Sequence, residues 1–341
     1  MALSVPADVH AANRGGVLIG RLARSRELTL ACVTIVMVTF VAIKAPSFLA
    51  STNLISVTAL TAIIAIAAVG EALVIITKNI DLSVESTMGL VAFVVAIALK
   101  QQSLTVPEAW AIGIGLGLVL GMANGAVITI FQVPSIVATL GTLSIYRGLT
   151  YWVAAGHEIN ISDLPAGYTE AASQTFFGVP LFVLLAIAVV IVAGLALRYT
   201  VLGRQLYAVG SNAEAAATIG VRSRSTIFLA FALSGMLAGV AGVLWGIEFG
   251  QLYASSASGE SLAVIAAVVV GGVSIAGGSG TVVGAAIGAL FLGLINNALT
   301  VLQLPQEWLQ VIYGAVILVA IVTDALVQMR AQRAKARSRL R

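Results

Sequence analysis

Long apolar stretches recur along this sequence, and they constrain the fold more than any other feature. A helix needs about 20 apolar residues to cross the hydrocarbon core of a bilayer. Predicted spans lie near residues 28–45, 54–77, 82–99, 108–131, 135–154, 179–197, 225–247, 260–276, 281–302 and 308–327. The eighth is short, so we expect a partial or re-entrant helix that is buried in protein. The sequence therefore predicts an all-α polytopic membrane protein with about ten transmembrane helices.

Composition supports this fold class. Of the 341 residues, 60% are hydrophobic and only 9% are charged, whereas a soluble domain carries about 25% charged residues. The single cysteine, Cys32, lies in an apolar stretch, so neither a disulfide nor a zinc framework can form within one chain. The first span follows a polar segment and lacks a small-residue cleavage site, which predicts an uncleaved helix.

Basic residues beside the spans predict the orientation of the chain. They form three clusters: Arg14, Arg21, Arg24 and Arg26; Arg198, Arg204, Arg222 and Arg224; and Arg330, Arg333, Lys335, Arg337, Arg339 and Arg341. The positive-inside rule places all three in the cytoplasm, and this arrangement is not that of a nucleic-acid surface. The loop at 155–178 has acidic residues but no Lys or Arg, so it is expected on the other face.

These expectations divide the chain into three parts. The first is a cytoplasmic N-terminal tail at 1–27, and the last is a basic cytoplasmic tail at 328–341. Between them, residues 28–327 form a transmembrane domain with a cytoplasmic loop at 198–224 and an extracytoplasmic loop at 155–178. An even number of spans returns both termini to the cytoplasm.

Glycines recur at four-residue spacing within several spans. They include Gly117, Gly121 and Gly125; Gly235 and Gly239; Gly242 and Gly246; and Gly284 and Gly288. Small residues at this spacing let helix backbones approach closely, so we expect a compact bundle.

A weak internal repeat relates the two halves of the chain. Gly121-Met122-Ala123-Asn124-Gly125 is similar to Gly293-Leu294-Ile295-Asn296-Asn297, and Glu85-Ser86 is similar to Glu260-Ser261. The offset is five spans, so the two copies would have opposite orientations in the membrane. Inverted repeats of this kind are common in transporters, with the solute path at their interface. The alternative is that the repeat is a chance similarity between sequences rich in Gly, Ala and Val.

The polar segment at 198–224 is predicted to contain a short helix. Ser211 stands three residues before Glu214, which is the spacing of a capping box, and Gly220 supplies a C-terminal stop. A helix of about two turns is too short to be stable alone in water, so it needs a surface to pack on. Its alanines would let a partner approach closely. The alternative is a solvated loop with no binding role.

A second polar segment, residues 77–86, interrupts the apolar sequence between two spans. Asp81 and Ser83 can cap the helix that follows, and Asp81 and Glu85 share one face of it. A broken helix of this kind can present hydrogen-bonding groups to a solute without exposing bare backbone to lipid. A capped interhelical loop is the alternative.

Two further charged residues fall within predicted spans. Glu71 could line a solute path or be a protonated buried carboxylate. Arg147 could pair with a carboxylate or reach toward an interface, and we favour a structural role for it. The two histidines lack partners at ligand spacing, so no metal site is expected.

Four ordered stretches resemble one known family. Glu214-Ala215-Ala216 followed by Gly220 resembles the loop by which ATP-binding-cassette (ABC) importer permeases dock on their ATPase, and the fuller text from Gly203-Arg204 resembles the monosaccharide (ribose-type) branch. The other matching stretches are Asp81 to Ser86, where Glu85 replaces the usual glycine, Val133 to Leu149, and Val270 to Thr281. Together they cover much of residues 54–325. The text around Asp81 is most similar to rhamnose or autoinducer-2 permeases.

The resemblance implies a permease subunit in the bacterial inner membrane. Its partners would be an ABC ATPase, a second permease that is identical or a sister chain, and an extracytoplasmic sugar-binding protein. The residues implied in coupling to the ATPase are Arg204, Ser211, Asn212, Glu214, Ala215, Ala216 and Gly220. Candidate residues of the translocation path are Glu71, Asp81, Ser83, Glu85, Asn124 and Asn296.

The sequence contains no P-loop, because no Gly-Lys-Ser/Thr follows any glycine-rich run. We therefore expect no catalytic residue and no bound cofactor in this chain, with ATP and magnesium used by the partner ATPase. The main alternative is an ion-coupled secondary transporter, for which Glu71, Asp81 and Glu85 are the candidate carboxylates. A membrane-bound enzyme is less favoured, since no nucleophile and base fall together within the spans.

Overall fold

The computed structural model describes residues 26–102 and 104–338, with side chains at 30–101 and 104–322. The basic residues of both predicted tails lie outside these described side chains. In the described part of the chain, thirteen α-helices follow one another: α1 (Arg26–Lys44), α2 (Ser51–Ile76), α3 (Val84–Gln102), α4 (Val106–Phe131), α5 (Ser135–Ala154), α6 (Ala166–Thr169), α7 (Leu181–Tyr199), α8 (Val201–Ser211), α9 (Ala213–Thr218), α10 (Ser223–Phe249), α11 (Glu260–Val270), α12 (Val282–Val301) and α13 (Glu307–Ser338).

Six of the described helices are long and apolar enough to cross a membrane, namely α2, α3, α4, α7, α10 and α12. Shorter apolar helical segments lie at Leu30–Lys44, Glu260–Val270 and Glu307–Val322. The remaining predicted span is α5, which carries Arg147 and several hydroxyl side chains. The chain is therefore a helical polytopic membrane protein.

Helix α11 has the shortness that was predicted for the eighth span. Its 11 residues extend only about 16 Å, which is about half of the hydrocarbon thickness. Most of its side chains are buried, so it lies inside the bundle, as expected for a partial helix.

Helix α2 is the centre of the bundle. In its most apolar window 94% of the residues are buried inside the protein, against 17% for α7. Because α2 is covered by other helices, its side chains do not need to face lipid. Helix α7, by contrast, presents most of its apolar surface outward.

The glycines at four-residue spacing bring α4 and α10 into direct backbone contact. A Cβ atom at Gly117 would overlap the carbonyl oxygen of Gly235, and one at Gly121 would overlap that of Phe231. Gly239 lies in turn against the carbonyl oxygen of Gly113. The predicted close packing of small residues is confirmed for this pair of helices.

The segment at 198–224 contains two helices, and the predicted cap at Ser211 is wrong. Ser211 is the last residue of α8, because the backbone becomes extended only at Asn212. The Oδ1 of Asn212 accepts the N–H of Ala215 at 2.9 Å, so Asn212 caps α9. Glu214 consequently stands at the second helical position rather than the third.

The predicted stop at Gly220 is confirmed. Its φ of +85° is in the left-handed region, which favours glycine. The N–H of Gly220 bonds to the carbonyl of Ala217, and the N–H of Val221 bonds to that of Ala216. This is the Schellman arrangement, which satisfies carbonyls that a helix end leaves free.

The loop at 155–178 is folded and lies at the opposite end of the bundle from α8. It contains the short helix α6 and leads into an antiparallel pair, β1 (Thr175–Phe176) and β2 (Val179–Pro180). This small ribbon is a departure from the all-α prediction. Ile159 pairs with Leu252, and the Nζ of Lys100 lies 3.0 Å from Asp163. The ends of α3, α5 and α10 therefore meet at this loop.

Candidate functional site

The break between α2 and α3 is a chain reversal inside the bundle. Helix α2 ends at Ile76, and Lys78 adopts a positive φ of 66°. The chain then returns beside α2, where the N–H of Asp81 donates to the Oε1 of Glu71 at 3.0 Å. The predicted broken helix is present, and its polar residues turn inward.

Asp81 and Ser83 organise the start of α3. The Oδ1 of Asp81 accepts both the N–H of Ser83 at 2.9 Å and its hydroxyl at 2.6 Å. The carbonyl of Ser83 accepts the N–H of Thr87, which begins the helical ladder. Ser83 therefore stands at the N-cap position of α3, and Asp81 fixes it there. The hydrogen bonds of the two side chains go to Ser83 itself and to Asn124 rather than to amides of the first turn, so the predicted side-chain cap is not seen.

The hydrogen bonds continue from Ser83 to α4 and α5. The amide of Asn124 donates to the hydroxyl of Ser83 at 2.8 Å, and the Tyr146 hydroxyl donates to Asn124 at 3.2 Å and to the Leu120 carbonyl at 2.9 Å. We call Glu71, Asp81, Ser83, Asn124 and Tyr146 the buried polar network. None of these side chains is more than 4% exposed.

Four of the six predicted path residues thus lie in the network. Tyr146 was not singled out from the sequence, although a tyrosine within a span needs a partner for its hydroxyl when it is buried. Among the described residues, the Oε2 of Glu71 is a buried oxygen with no hydrogen-bond partner.

Asn296 lies apart from the buried polar network. The neighbouring Gly293 packs on Thr61 of α2, and the amide of Asn297 exchanges 2.8 Å hydrogen bonds with that of Asn53. Thr61 precedes Glu71 by ten residues, which corresponds to about 15 Å along the helix. The structure therefore does not bring Asn296 together with Asn124.

Glu85 makes contacts of a different kind from the other predicted path residues. Its Oε1 lies 3.5 Å from the guanidinium of Arg147, which resolves the alternatives for that arginine in favour of a carboxylate partner. Its Oε2 accepts the N–H groups of Gly259 at 2.8 Å and Ser261 at 3.2 Å. Arg147 also donates to the carbonyl of Ser256 at 2.8 Å.

Helices α8 and α9 form the surface that the sequence assigned to coupling. Of the seven residues predicted there, Arg204, Ser211, Asn212, Glu214, Ala215 and Gly220 are exposed and Ala216 is buried. The backbone of Gly210 lies against the carbonyl of Ile76, and the Tyr207 hydroxyl donates to the carbonyl of Gly280 at 2.8 Å. A displacement of this surface would therefore act on the end of α2.

No group of three or more His, Cys, Asp or Glu side chains that could hold a metal ion occurs within 26–102 and 104–338. The chemistry available at the described site is hydrogen bonding and ion pairing inside a helical bundle. That chemistry suits the positioning of helices and contact with a polar solute.

Comparison with known proteins matches the chain to one protein family. Residues 53–321 match the family described as the permease component of branched-chain amino acid transport systems. The autoinducer 2 import system permease protein LsrC of Enterobacter sp. (strain 638) is 35% identical over 303 residues, which cover 89% of this chain and 88% of the relative. No solved structure matches the chain.

Relatives of the same name occur in other bacteria. The protein of Klebsiella pneumoniae subsp. pneumoniae is 36% identical over 303 residues, covering 89% of this chain and 87% of the relative. That of Photorhabdus luminescens is 37% identical over 263 residues, covering 77% and 78%. These matches confirm the resemblance seen in the sequence. The chain therefore belongs to the family of branched-chain amino acid transport system permeases, whose members are membrane-spanning subunits of ABC importers.

Proposed function

We propose that this chain imports a small polyhydroxylated solute across the bacterial inner membrane by alternating access, as one permease of an ABC importer. Autoinducer 2 is the first candidate solute, because the relatives are named for its import. A monosaccharide such as a pentose, a hexose or rhamnose is the wider class. Selection among these would fall largely to a separate binding protein.

The proposed topology has ten spans, with α11 as the partial helix of the eighth. Both termini and residues 198–224 would be cytoplasmic, and the loop at 155–178 would face the other side. Helices at all ten predicted positions support this arrangement. The contacts of Gly210 with Ile76 and of Ile159 with Leu252 further support it, since they separate the two loops to opposite ends of the bundle.

An inverted repeat of five spans is part of the proposal. Residues that would be equivalent in the two halves meet in the structure at the starts of α3 and α11. The hydroxyl of Ser261 donates to the carbonyl of Leu82 at 2.7 Å, and Glu85 accepts the N–H of Ser261. Contact between equivalent segments is expected near the axis that relates two inverted halves.

The observation that carries the proposal is the position of α8 and α9. An ATPase that docks on the exposed face of α9 would move α8, and α8 lies directly on the end of α2. Such a docking surface would use Arg204, Ser211, Asn212, Glu214, Ala215, Ala216 and Gly220. ATP and magnesium would be bound by that partner.

The proposed translocation path uses the six residues predicted from the sequence. Glu85 and Asn296 retain exposed surface, so they could meet a solute in this conformation. Glu71, Asp81, Ser83 and Asn124 are closed to solvent. They would act on transport by holding the break between α2 and α3, or by direct contact after a rearrangement.

The test is purification of the tagged chain from its native host in mild detergent. We expect a P-loop ATPase, a second permease and a solute-binding protein to associate with it. Glu214→Lys should release the ATPase, because Glu214 is exposed in the first turn of α9. Glu170→Lys is the matched control, since Glu170 is exposed in the loop at the other end. If the chain purifies alone and moves solute into vesicles without ATP, an ion-coupled transporter replaces this proposal.

A further inference from the structure

We propose that Arg147 and Glu85 form a clamp that fixes residues 253–261, and that the exposed edge of this segment lines the aqueous solute path. The segment links α10 to α11, and its exposed edge consists of Tyr253, Ser255, Ser258 and Gly259. This inference rests on the proposed function for the identity of the path. The clamp itself is a property of the fold.

The clamp holds the segment through both its backbone carbonyl groups and its backbone N–H groups. The guanidinium of Arg147 donates to the carbonyls of Ala254 at 3.2 Å and Ser256 at 2.8 Å. The carboxylate of Glu85 accepts the amides of Gly259 and Ser261. Backbone groups that have no helical partner are thereby satisfied within the bundle.

A glycine on α3 lets the segment come close. A Cβ atom at Gly89 would lie 2.7 Å from the carbonyl oxygen of Ser256 and 3.2 Å from the Nη1 of Arg147. Any side chain at this position would push the segment and the arginine away from α3. The close approach is therefore a specific feature of the packing.

The charge of Glu85 also suits two helix ends. It lies in the first turn of α3, and it accepts amides from the first turn of α11. A helix N-terminus carries a partial positive charge, which favours a carboxylate over a neutral or cationic side chain. The clamp therefore needs its negative charge at position 85. Exchanging the two residues would put a cation beside both helix N-termini.

The depth of the segment decides what its exposed edge can face. Gly89, which contacts Ser256, precedes Lys100 at the loop end by eleven residues, or about 16 Å of helix. Residues 253–259 lie outside the helices, and Ser258 and Gly259 are exposed. The exposed edge carries the hydroxyl groups of Ser255 and Ser258, and a polar edge at this depth is not expected to face lipid. It must line a water-filled cavity or contact another protein, and we assign it to the cavity.

Accessibility at Ser258 tests the assignment. In a Cys32→Ser background, the full chain carrying Ser258→Cys would be treated in native membranes with a membrane-impermeant maleimide. We expect the introduced thiol to react and the modified importer to lose solute uptake. Ile187→Cys, on the outward face of α7, is the control and should not react, because its exposed surface faces lipid. If the thiol introduced at position 258 does not react, a second subunit covers the edge and the assignment to the path is overturned.

The clamp is tested by the same labelling reaction. Arg147→Gln and Glu85→Gln should each change the labelling rate of the Ser258→Cys chain by about tenfold or more, because each leaves a partly buried charge without its partner. The exchanged pair Glu85→Arg with Arg147→Glu should not restore the rate, since Glu85 also serves two helix ends. An unchanged rate in both single variants, or full restoration by the exchange, would overturn the clamp.

A glycine pair keeps the inference testable if the charge variants do not fold. In the Ser258→Cys chain, Gly89→Ala should displace Ser256 and change the labelling rate, whereas Gly148→Ala should not, because Gly148 has open space beside it. Equal labelling in the two glycine variants would contradict the close contact. Labelling depends only on the fold, so failure of the clamp is distinguishable from failure of the importer assignment, which uptake and ATPase binding report.

Discussion

The backbone of Gly210 lies directly against the carbonyl group of Ile76, so that α8 rests on the end of the central helix α2. A Cβ atom at Gly210 would overlap that carbonyl oxygen. The same oxygen accepts the N–H of Gly278 at 2.9 Å. One carbonyl therefore joins the surface helix, the turn before α12 and the break between α2 and α3.

Gly210→Ala should destabilise this junction. The methyl group cannot be accommodated without a shift of backbone, and overpacking of this kind costs about 1–3 kcal/mol. We expect a lower thermal unfolding temperature for the detergent-solubilised chain and weaker coupling of ATP hydrolysis to uptake. Gly115→Ala is the control, since nothing lies within 4 Å of the Cβ position at Gly115. Equal unfolding temperatures for the two variants would refute the contact.

Loss of the cap at Asn212 should loosen α9. Asn212→Ala removes the oxygen that accepts the N–H of Ala215, and loss of such a cap costs about 1 kcal/mol. The amides of residues 213–218 should then exchange faster with deuterated solvent. Ser211→Ala should leave that exchange unchanged, because Ser211 ends α8. If only the Ser211 variant exchanged faster, Ser211 would be the cap of α9, as the sequence predicted, and Asn212 would not.

The two asparagines of the predicted repeat should differ in their effect on stability. Asn124→Ala breaks the buried polar network at its centre, which costs about 1–3 kcal/mol where a buried partner is left unsatisfied. Asn296 is half-buried and lies outside the network, so Asn296→Ala should have the smaller effect. Thermal unfolding of the purified chain measures both. A larger loss for Asn296→Ala would contradict the separate positions that the structure gives them.

Much of the fold follows from local signals in the sequence. Six of the spans, the short α11, the broken helix at Asp81 and the stop at Gly220 depend on neighbouring residues, and the structure contains each of them. The cap of α9 was misplaced by one residue because Ser211 and Asn212 are both good capping residues, and only the length of α8 decides between them.

The contacts of the site could not be predicted in the same way. Glu85 and Arg147 are 62 residues apart, and Ser261 is 179 residues from Leu82. Such pairs depend on how the helices pack, which hydropathy does not specify. Asn124 and Asn296 occur in similar motifs, so the sequence did not predict that only Asn124 would be buried in the polar network.

Acid should release the loop at 155–178. The N–H of Asn160 and the ammonium of Lys100 hold the pKa of Asp163 below its ordinary value of 3.8. A lowered pKa means that the contribution to stability is full above the ordinary value and is lost as the pH falls through the lowered one. Proteolysis of the loop should therefore increase only under strongly acidic conditions.

Asp163→Asn should reproduce that release at neutral pH. The amide lacks the charge that Lys100 pairs with, so the loop should be cut faster by an acid-tolerant protease at every pH between about 3 and 7. Glu158→Gln is the control, since Glu158 lies in the same loop and is exposed. If the Asn variant were as resistant as the wild type at pH 7, the ion pair would have no role in holding the loop.

Gly121→Leu should separate α4 from α10. Gly121 lies against the backbone of Phe231 and Gly235, so a leucine there must push apart two helices that touch along their small residues. We expect loss of the folded chain, seen as aggregation during size-exclusion chromatography in detergent. Gly115→Leu, six residues earlier on the same helix, is the matched control and should elute normally, since its Cβ position is open. Normal elution of the Gly121 variant would show that the interface between α4 and α10 can part without loss of the fold.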